Sequence, residues 1–402
     1  MIINKLFLLS KYFNAFVSFI IVLIIGKTLS LANFGEFAFF KLMTQYLLFS
    51  ELGMLQYLFR QYSAKEEIKT RELNQVFSYL LISFFTVIFI FYITGEGFIN
   101  FFSQGVFYLY TSVAVFISLI SKFTIDQLRI RDKINTVIFL ETLSNLILLS
   151  SIGLFAYYSI EALNLYLIAL SFYLTPFVVY MLFNSYMNDF IKSFKFNFNL
   201  NKSILSESSM LFFYGIVSLL FFSLDRLFIK FYFGFDDLGL YSFSFTIVMG
   251  FYMIIQNIFW LNTPNFIHQI KTKSGEIIQK KFKEYEKKFV KIYIYIFVVY
   301  LVVYLILVNT YYTKFIDTIY IFILIHIYNF FQVFYVFEKH YFITKKLYRE
   351  LNLILLKVVL FNIVLNMTIL VIFNNIYLLL LGSILSHLLY VVLQKRKLKC
   401  ML

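Results

Sequence analysis

Apolar residues in this chain run in long blocks separated by short polar breaks. Twelve blocks can be marked, over 12–29, 36–59, 73–94, 105–125, 134–158, 162–183, 207–233, 238–267, 289–310, 315–337, 351–373 and 376–393. At a rise of about 1.5 Å per residue, each is long enough to cross about 30 Å of hydrocarbon as a helix. The pattern predicts an all-α membrane protein of about twelve transmembrane helices.

The basic residues orient it. Of 35 lysines and arginines, 29 fall in alternate breaks, beginning with Lys5 and Lys11, then Arg60 to Arg71, Lys122 to Lys133, and Lys192 to Lys202, and ending with Lys271 to Lys291, Lys339 to Arg349, and Lys395 to Lys399. The intervening breaks hold only Lys27, Lys230 and Lys314, and Lys41, Arg226 and Lys357 lie inside spans. Under the positive-inside rule both termini are expected in the cytoplasm. A missed or extra helix would put a basic cluster on the wrong side.

Composition agrees, since the chain is 61% hydrophobic, 22% aromatic and 14% charged, whereas soluble domains average about 25% charged. The net charge of +14 therefore reads as membrane orientation, and no nucleic-acid partner is expected. The lone cysteine, Cys400, forms no intrachain disulfide and lacks the companions of a zinc or redox motif. The first block exceeds a signal-peptide h-region and lacks an A-x-A-like site, so it is expected to be retained.

The connections are short, the longest inward ones, around 184–206 and 268–288, reaching only about 20 residues. An enzyme acting on a polymer outside the membrane would need a larger soluble loop. The stretch 271–291 sets Ile277, Ile278, Phe282, Tyr285 and Phe289 among eight lysines. It is expected to lie as an amphipathic helix on an anionic inner leaflet, contacting membrane lipids.

An internal repeat gives the architecture. Asn33-Phe34-Gly35-Glu36-Phe37-Ala38-Phe39 precedes the second block, and Asp237-Leu238-Gly239-Leu240-Tyr241-Ser242-Phe243 opens the eighth, an offset of 204 residues, or six helices. Each copy is expected to place its glycine at a tight outer turn and, two residues later, an aromatic at the interface. Six is even, so the halves are parallel repeats, forming two six-helix lobes. The expected domains are 1–183, a cytoplasmic linker 184–206, and 207–402.

Four features now carry a family resemblance: LSLANFGEF with Glu51-Leu52-Gly53 following it; QLRIRDKIN after span four; Asp225-Arg226 in FFSLDRLFIKFYFG ahead of LGLYSFS; and Pro264, expected to end span eight. With them the chain resembles the bacterial flippases for lipid-linked O-antigen and capsule repeat units, in the superfamily of the MATE-type multidrug exporters. The resemblance implies two lobes alternating access around a central cavity in the bacterial cytoplasmic (inner) membrane. It also implies a polyprenyl-diphosphate-linked oligosaccharide as substrate, carried outward for capsule or lipopolysaccharide synthesis, with a polysaccharide polymerase complex as a candidate partner. A sugar chain bearing a diphosphate cannot cross hydrocarbon unaided, because its hydroxyls and charges would lose their hydration. A flippase for it needs a polar, cationic cavity beside an apolar wall.

Charged groups inside spans are the candidates to line that cavity. In span two, Lys41, Thr44, Gln45 and Glu51 fall on one helical face. Lys41 and Gln45 are substrate candidates, and Glu51 is a candidate to answer a proton or cation. In span seven, Asp225, Arg226 and Lys230 form a second polar group, with Arg226 and Lys230 at i, i+4. Glu141 in span five, beside Ser144 and Asn145, is another coupling candidate. Arg60, Arg129, Arg131, Lys133 and Lys357 lie toward the cytoplasmic entrance. Each position has a structural alternative, such as snorkelling lysines or helix-packing ion pairs.

The four histidines, His268, His326, His340 and His387, show no metal-ligand spacing, and no phosphate-binding GxxxxGK[ST] or GxGxxG motif appears. No cofactor, metal or catalytic residue is expected, and any drive must come from a proton or sodium gradient or from consumption of product. Two alternatives to the flippase are a cation-coupled small-molecule exporter of the same fold and a membrane polysaccharide polymerase.

Overall fold

A computed structural model describes residues 2–62, 70–98, 105–131, 133–157, 165–197, 202–272, 275–345 and 347–401, all helical or connecting. In chain order the helices are α1 (Ile2–Thr28), α2 (Leu31–Leu47), α3 (Met54–Tyr62), α4 (Thr70–Phe98), α5 (Gly105–Ile130), α6 (Ile134–Tyr157), α7 (Leu165–Phe183) and α8 (Ser185–Ser193). They continue with α9 (Lys202–Phe233), α10 (Phe235–Thr272), α11 (Gly275–Thr310), α12 (Ile319–Thr344), α13 (Tyr348–Phe373) and α14 (Ile376–Lys399). Among the described residues ten helices are long and apolar enough to cross a membrane. The chain has a multi-pass membrane fold.

Two of the expected spans take a different form. Block 36–59 is broken: α2 gives way to a 3-10 turn, Leu48–Glu51, after which Leu52 and Gly53 adopt φ of 50° and 73° before α3 begins. The cause is local crowding, because a Cβ on Gly53 would fall 2.4 Å from the Ser208 carbonyl oxygen of α9. Only glycine can be this close to a neighbouring backbone in a left-handed conformation. Pro264 does not end span eight, since α10 runs through it to Thr272. A proline removes one ladder donor, and that loss alone does not stop a 38-residue helix.

Two compact units emerge, one comprising 1–28 and 37–216, the other 29–36 and 217–402. The chain thus passes between units inside α2 and inside α9, while the segment 184–206 holds the short helix α8. In the first unit, Phe77, Phe123, Phe190 and Phe194 interlock at ring-centroid distances of 4.9 to 5.7 Å, tying α4, α5 and α8 together.

In the second unit the repeat glycines meet. A Cβ on Gly35 would lie 1.9 Å from the Phe235 carbonyl oxygen, and one on Gly239 would lie 2.3 Å from that of Leu31. Residues 31 and 235, like 35 and 239, are related by the same 204-residue offset, so the two helix starts cross reciprocally. These glycines therefore permit close helix approach, as small residues do in membrane bundles. They are not turn glycines as expected from sequence: the turn between α9 and α10 belongs to Gly234, with φ of 93°. Nor do the following aromatics lie at an interface. Phe37 is packed against Phe172 at 5.4 Å, and Tyr241 is wholly buried.

The basic amphipathic stretch also departs from expectation. Rather than a separate helix lying on lipid, it is the first part of α11, and Ile278, Phe282 and Phe289 are buried with Phe337 and Tyr341 of α12 and Leu398 of α14. Its apolar face is covered by protein, and Lys280, Lys283, Lys287, Lys288 and Lys291 point away from that contact. A 36-residue helix spans about 54 Å, well beyond the hydrocarbon thickness, so part of α11 extends past it.

Candidate functional site

In the first unit three carboxylates are held by basic residues, two of them across helices. Glu51, 3% exposed where the 3-10 turn ends, receives both its hydrogen bonds from Lys122 Nζ on α5, at 2.7 and 2.6 Å. One turn along α5, the buried Asp126 meets Arg129 at 3.5 Å. Glu141 on α6 accepts a 2.5 Å bond from Lys11 on α1, while Ser144 turns back to the Glu141 carbonyl oxygen at 2.9 Å. The two carboxylates expected as coupling groups thus sit against lysines that sequence counting had assigned only to topology.

The polar face expected on span two is divided. Thr44 is buried and bonded to the Phe40 carbonyl oxygen at 2.9 Å, Gln45 is exposed, and Glu51 lies beyond the end of α2. Lys41 is half-buried, with its Nζ 4.7 Å from the Phe172 ring centroid and 5.5 Å from that of Phe37, a cation–π setting. At the candidate entrance, Lys133 is exposed and Arg60 belongs to α3, its side chain lying outside the described residues. Lys357 is exposed on the same stripe of α13 as Leu353, Leu360 and Val364, so it lies on an unpacked face.

The second unit holds the more unusual group. Asp225 on α9 is 5% exposed, yet its carboxylate is not satisfied by a side-chain ion pair with its neighbour. Instead it accepts the Tyr241 hydroxyl of α10 and, at 2.9 Å, the backbone N–H of Arg226. Among the described residues the Arg226 guanidinium then has no carboxylate within ion-pair distance. Its Cζ rests 4.4 Å from the Phe245 centroid, one terminal nitrogen reaches the Phe222 carbonyl oxygen at 3.3 Å, and its Nε is buried with no hydrogen-bond partner. One turn on, Lys230 is buried with its Nζ 4.6 Å from the Phe235 centroid.

Around this group the packing is aromatic and polar together. His387 of α14 lies 4.4 Å from the Phe221 ring and 4.9 Å from Tyr328 of α12. Its Nδ1 is 2.9 Å from the Ser383 carbonyl oxygen; a carbonyl only accepts, so Nδ1 carries the hydrogen and the buried Nε2 is a bare acceptor. On α12, Gln332 donates to Asn329 at 2.5 Å. Tyr241, Tyr328 and His387 carry no charge signal in sequence, and only the fold brings Tyr241 and Tyr328 to Asp225 and sets His387 against Tyr328.

No family model matches this chain, and no curated protein matches it by sequence. Solved structures do match. An inward-facing multidrug-resistance MATE family transporter superposes with a TM-score of 0.66 at 13% identity, covering 99% of this chain and 95% of the other. The lipid II flippase MurJ, in an inward closed conformation, gives 0.65 at 15% identity, covering 98% and 87%. A MOP-superfamily transporter from Pyrococcus furiosus gives 0.60 at 12% identity, covering 99% and 95%.

The chain has the fold these solved structures share. That likeness spans essentially the whole chain, and at these identities it establishes architecture and leaves substrate to the residues. Asp225 and Arg226, which carried part of the family resemblance, occupy the buried cluster of the second unit.

Proposed function

We propose that this protein is a flippase of the cytoplasmic membrane of bacteria, with both termini on the inner side. It would carry polyprenyl-diphosphate-linked oligosaccharide units, of the O-antigen or capsule type, from the inner to the outer leaflet by alternating access. The observation that carries this reading is Arg226, an inward-packed guanidinium with a buried, unpartnered Nε and no described carboxylate partner. An arginine in this state is a ready donor for phosphate oxygens, which its planar fork matches in geometry. Lys230 nearby in the second unit and Lys41 in the first add positive charge of the same use. MurJ, with the same fold, is described as flipping a lipid substrate, which fits this class of cargo.

In this proposal the cargo's head group is held in the second unit by Arg226 and Lys230, Lys41 and Gln45 are the candidate contacts of the first unit taken by itself, and the basic residues Arg60, Arg129, Lys133 and Lys357 favour anionic cargo at the inner side. A proton or sodium gradient, or consumption of product by a polymerase at the outer face, supplies the drive. Glu51 and Glu141 can serve in coupling only if their lysine partners release them.

Binding of a short-chain polyprenyl diphosphate to the purified protein tests the reading. The wild type is expected to bind it, and Arg226→Ala to bind about tenfold or more weakly, since a hydrogen bond to a charged group contributes about 1.5–3 kcal/mol. Equal affinity in wild type and Arg226→Ala, together with tight binding of a cationic drug, would favour the exporter instead.

A further inference from the structure

Where α11, α12 and α14 come together at the lysine-rich end of the second unit, two carboxyl groups share one ammonium. Glu338, near the end of α12, is 2% exposed. Its Oε1 lies 3.9 Å from Lys395 Nζ of α14, and the same Nζ lies 2.7 Å from Glu286 Oε1 of α11. The Glu286 and Glu338 carboxyls are also within hydrogen-bonding reach of each other, while Glu338 Oε2 is buried and receives no donor among the described residues.

This arrangement has an unbalanced charge. Two carboxylates against one ammonium leave one negative charge where the Glu338 side chain is 3% and the Glu286 side chain 14% exposed, a setting in which uncompensated charge is costly. Ionised carboxylates are acceptors only and repel; a contact between them becomes a hydrogen bond when one carries a proton. A metal cation is a poor alternative, because Lys395 already occupies the space between the two groups. The surrounding elements also carry Tyr252 of α10, Lys283, Tyr285 and Lys287 of α11, Lys339, His340 and Tyr341 of α12, Glu350 of α13, and Arg396, Lys397 and Lys399 of α14, with Lys397 holding Glu350 at 2.8 Å. Among the ion pairs of the described residues, Lys395 alone reaches the two carboxyls.

We propose that Glu286 and Glu338 bind a single proton between them, forming a proton site on the second unit that is separate from the Arg226 cluster. The site joins the extended first part of α11 to α12 and α14, so proton occupancy is linked to that docking. The docked state holds the proton, whereas separated and solvated carboxyls of ordinary acidity release it near neutral pH. Docking is therefore strengthened at lower pH and weakened as pH rises. This inference does not depend on which cargo the protein carries.

The test is infrared difference spectroscopy of the full-length protein in lipid nanodiscs across a pH titration, with hydrogen exchange of residues 275–291 followed in parallel. The expected result is a protonated-carboxyl C=O band near neutral pH that is sensitive to deuterium and is lost in Glu338→Gln and in Glu286→Gln. Exchange in 275–291, corrected for intrinsic rate, should rise with pH in wild type and be flat in Glu338→Gln. Lys395→Met gives a second arm with the opposite sign. Removing the ammonium should move loss of the band upward by about one pH unit or more. A band unchanged by both glutamine variants, or no band in wild type and no shift in Lys395→Met, would overturn the proposal.

Discussion

The two units differ at the charges sequence singles out inside their spans. In the first, three carboxylates have a basic partner on their own or another helix: Glu51 with Lys122, Asp126 with Arg129, Glu141 with Lys11. In the second, Asp225 is satisfied by a tyrosine and a peptide N–H, and among the described residues the adjacent Arg226 makes no ion pair with an acid. A charge held in a pair must be released before it can bind anything further. A cation whose neighbouring carboxylate is already satisfied can still receive an anion, so the second unit is where cargo chemistry is most readily placed.

Individual glycines also differ in how closely a neighbouring helix approaches them, and the largest predicted effect breaks that contrast. Gly239→Leu must push the start of α10 away from the Leu31 carbonyl, and should cost about 3 kcal/mol or more, at the upper end of overpacking penalties. Gly153→Ala in α6 of the first unit, where a Cβ would meet nothing within 4 Å, should instead stabilise by up to about 1 kcal/mol through helix propensity. Thermal unfolding in detergent compares them, and equal effects would remove the close-crossing argument.

Next in size is the functional contrast. Arg226→Ala should lower surface polysaccharide about tenfold at normal protein level, while the folded protein's melting temperature changes little. If polysaccharide is unchanged at normal protein level, the guanidinium is structural. A smaller effect tests pairing in the first unit. Lys122→Met leaves Glu51 buried without its donor and should destabilise by about 1–2 kcal/mol, below the fully buried case because the lysine side chain is 43% exposed. Adding Glu51→Gln should recover most of that loss. Failure of the double variant to recover would mean that Lys122 acts elsewhere. Smallest of all, Lys281→Ala removes a solvent-exposed partner of Glu284 and should leave the melting temperature unchanged.

Much of the fold was legible because membrane helices announce themselves by length and hydropathy. The glycines of the repeat were legible as a motif, but their purpose was not, since a turn and a helix crossing both select glycine. The break at Leu52-Gly53 was hidden for a related reason: its cause is Ser208, more than 150 residues away. Asp225 and Arg226 stood out as rare charges within a span. That Asp225 answers to Tyr241 rather than to Arg226 follows from the packing of α9 on α10, which neighbouring positions in a sequence do not disclose. Lys11 and Lys122 were absorbed into the topological count, although each also binds a carboxylate. The apolar face of 271–291 was visible, but whether lipid or protein would cover it depends on where α12 and α14 end.

The most direct test of the flippase assignment is the leaflet location of the lipid-linked repeat unit in cells lacking this protein, read with a membrane-impermeant sugar-modifying probe on spheroplasts. The account predicts complete units accumulating on the inner leaflet, out of reach of the probe. Complete units that are labelled outside at the wild-type level, with or without polymerisation, would contradict it.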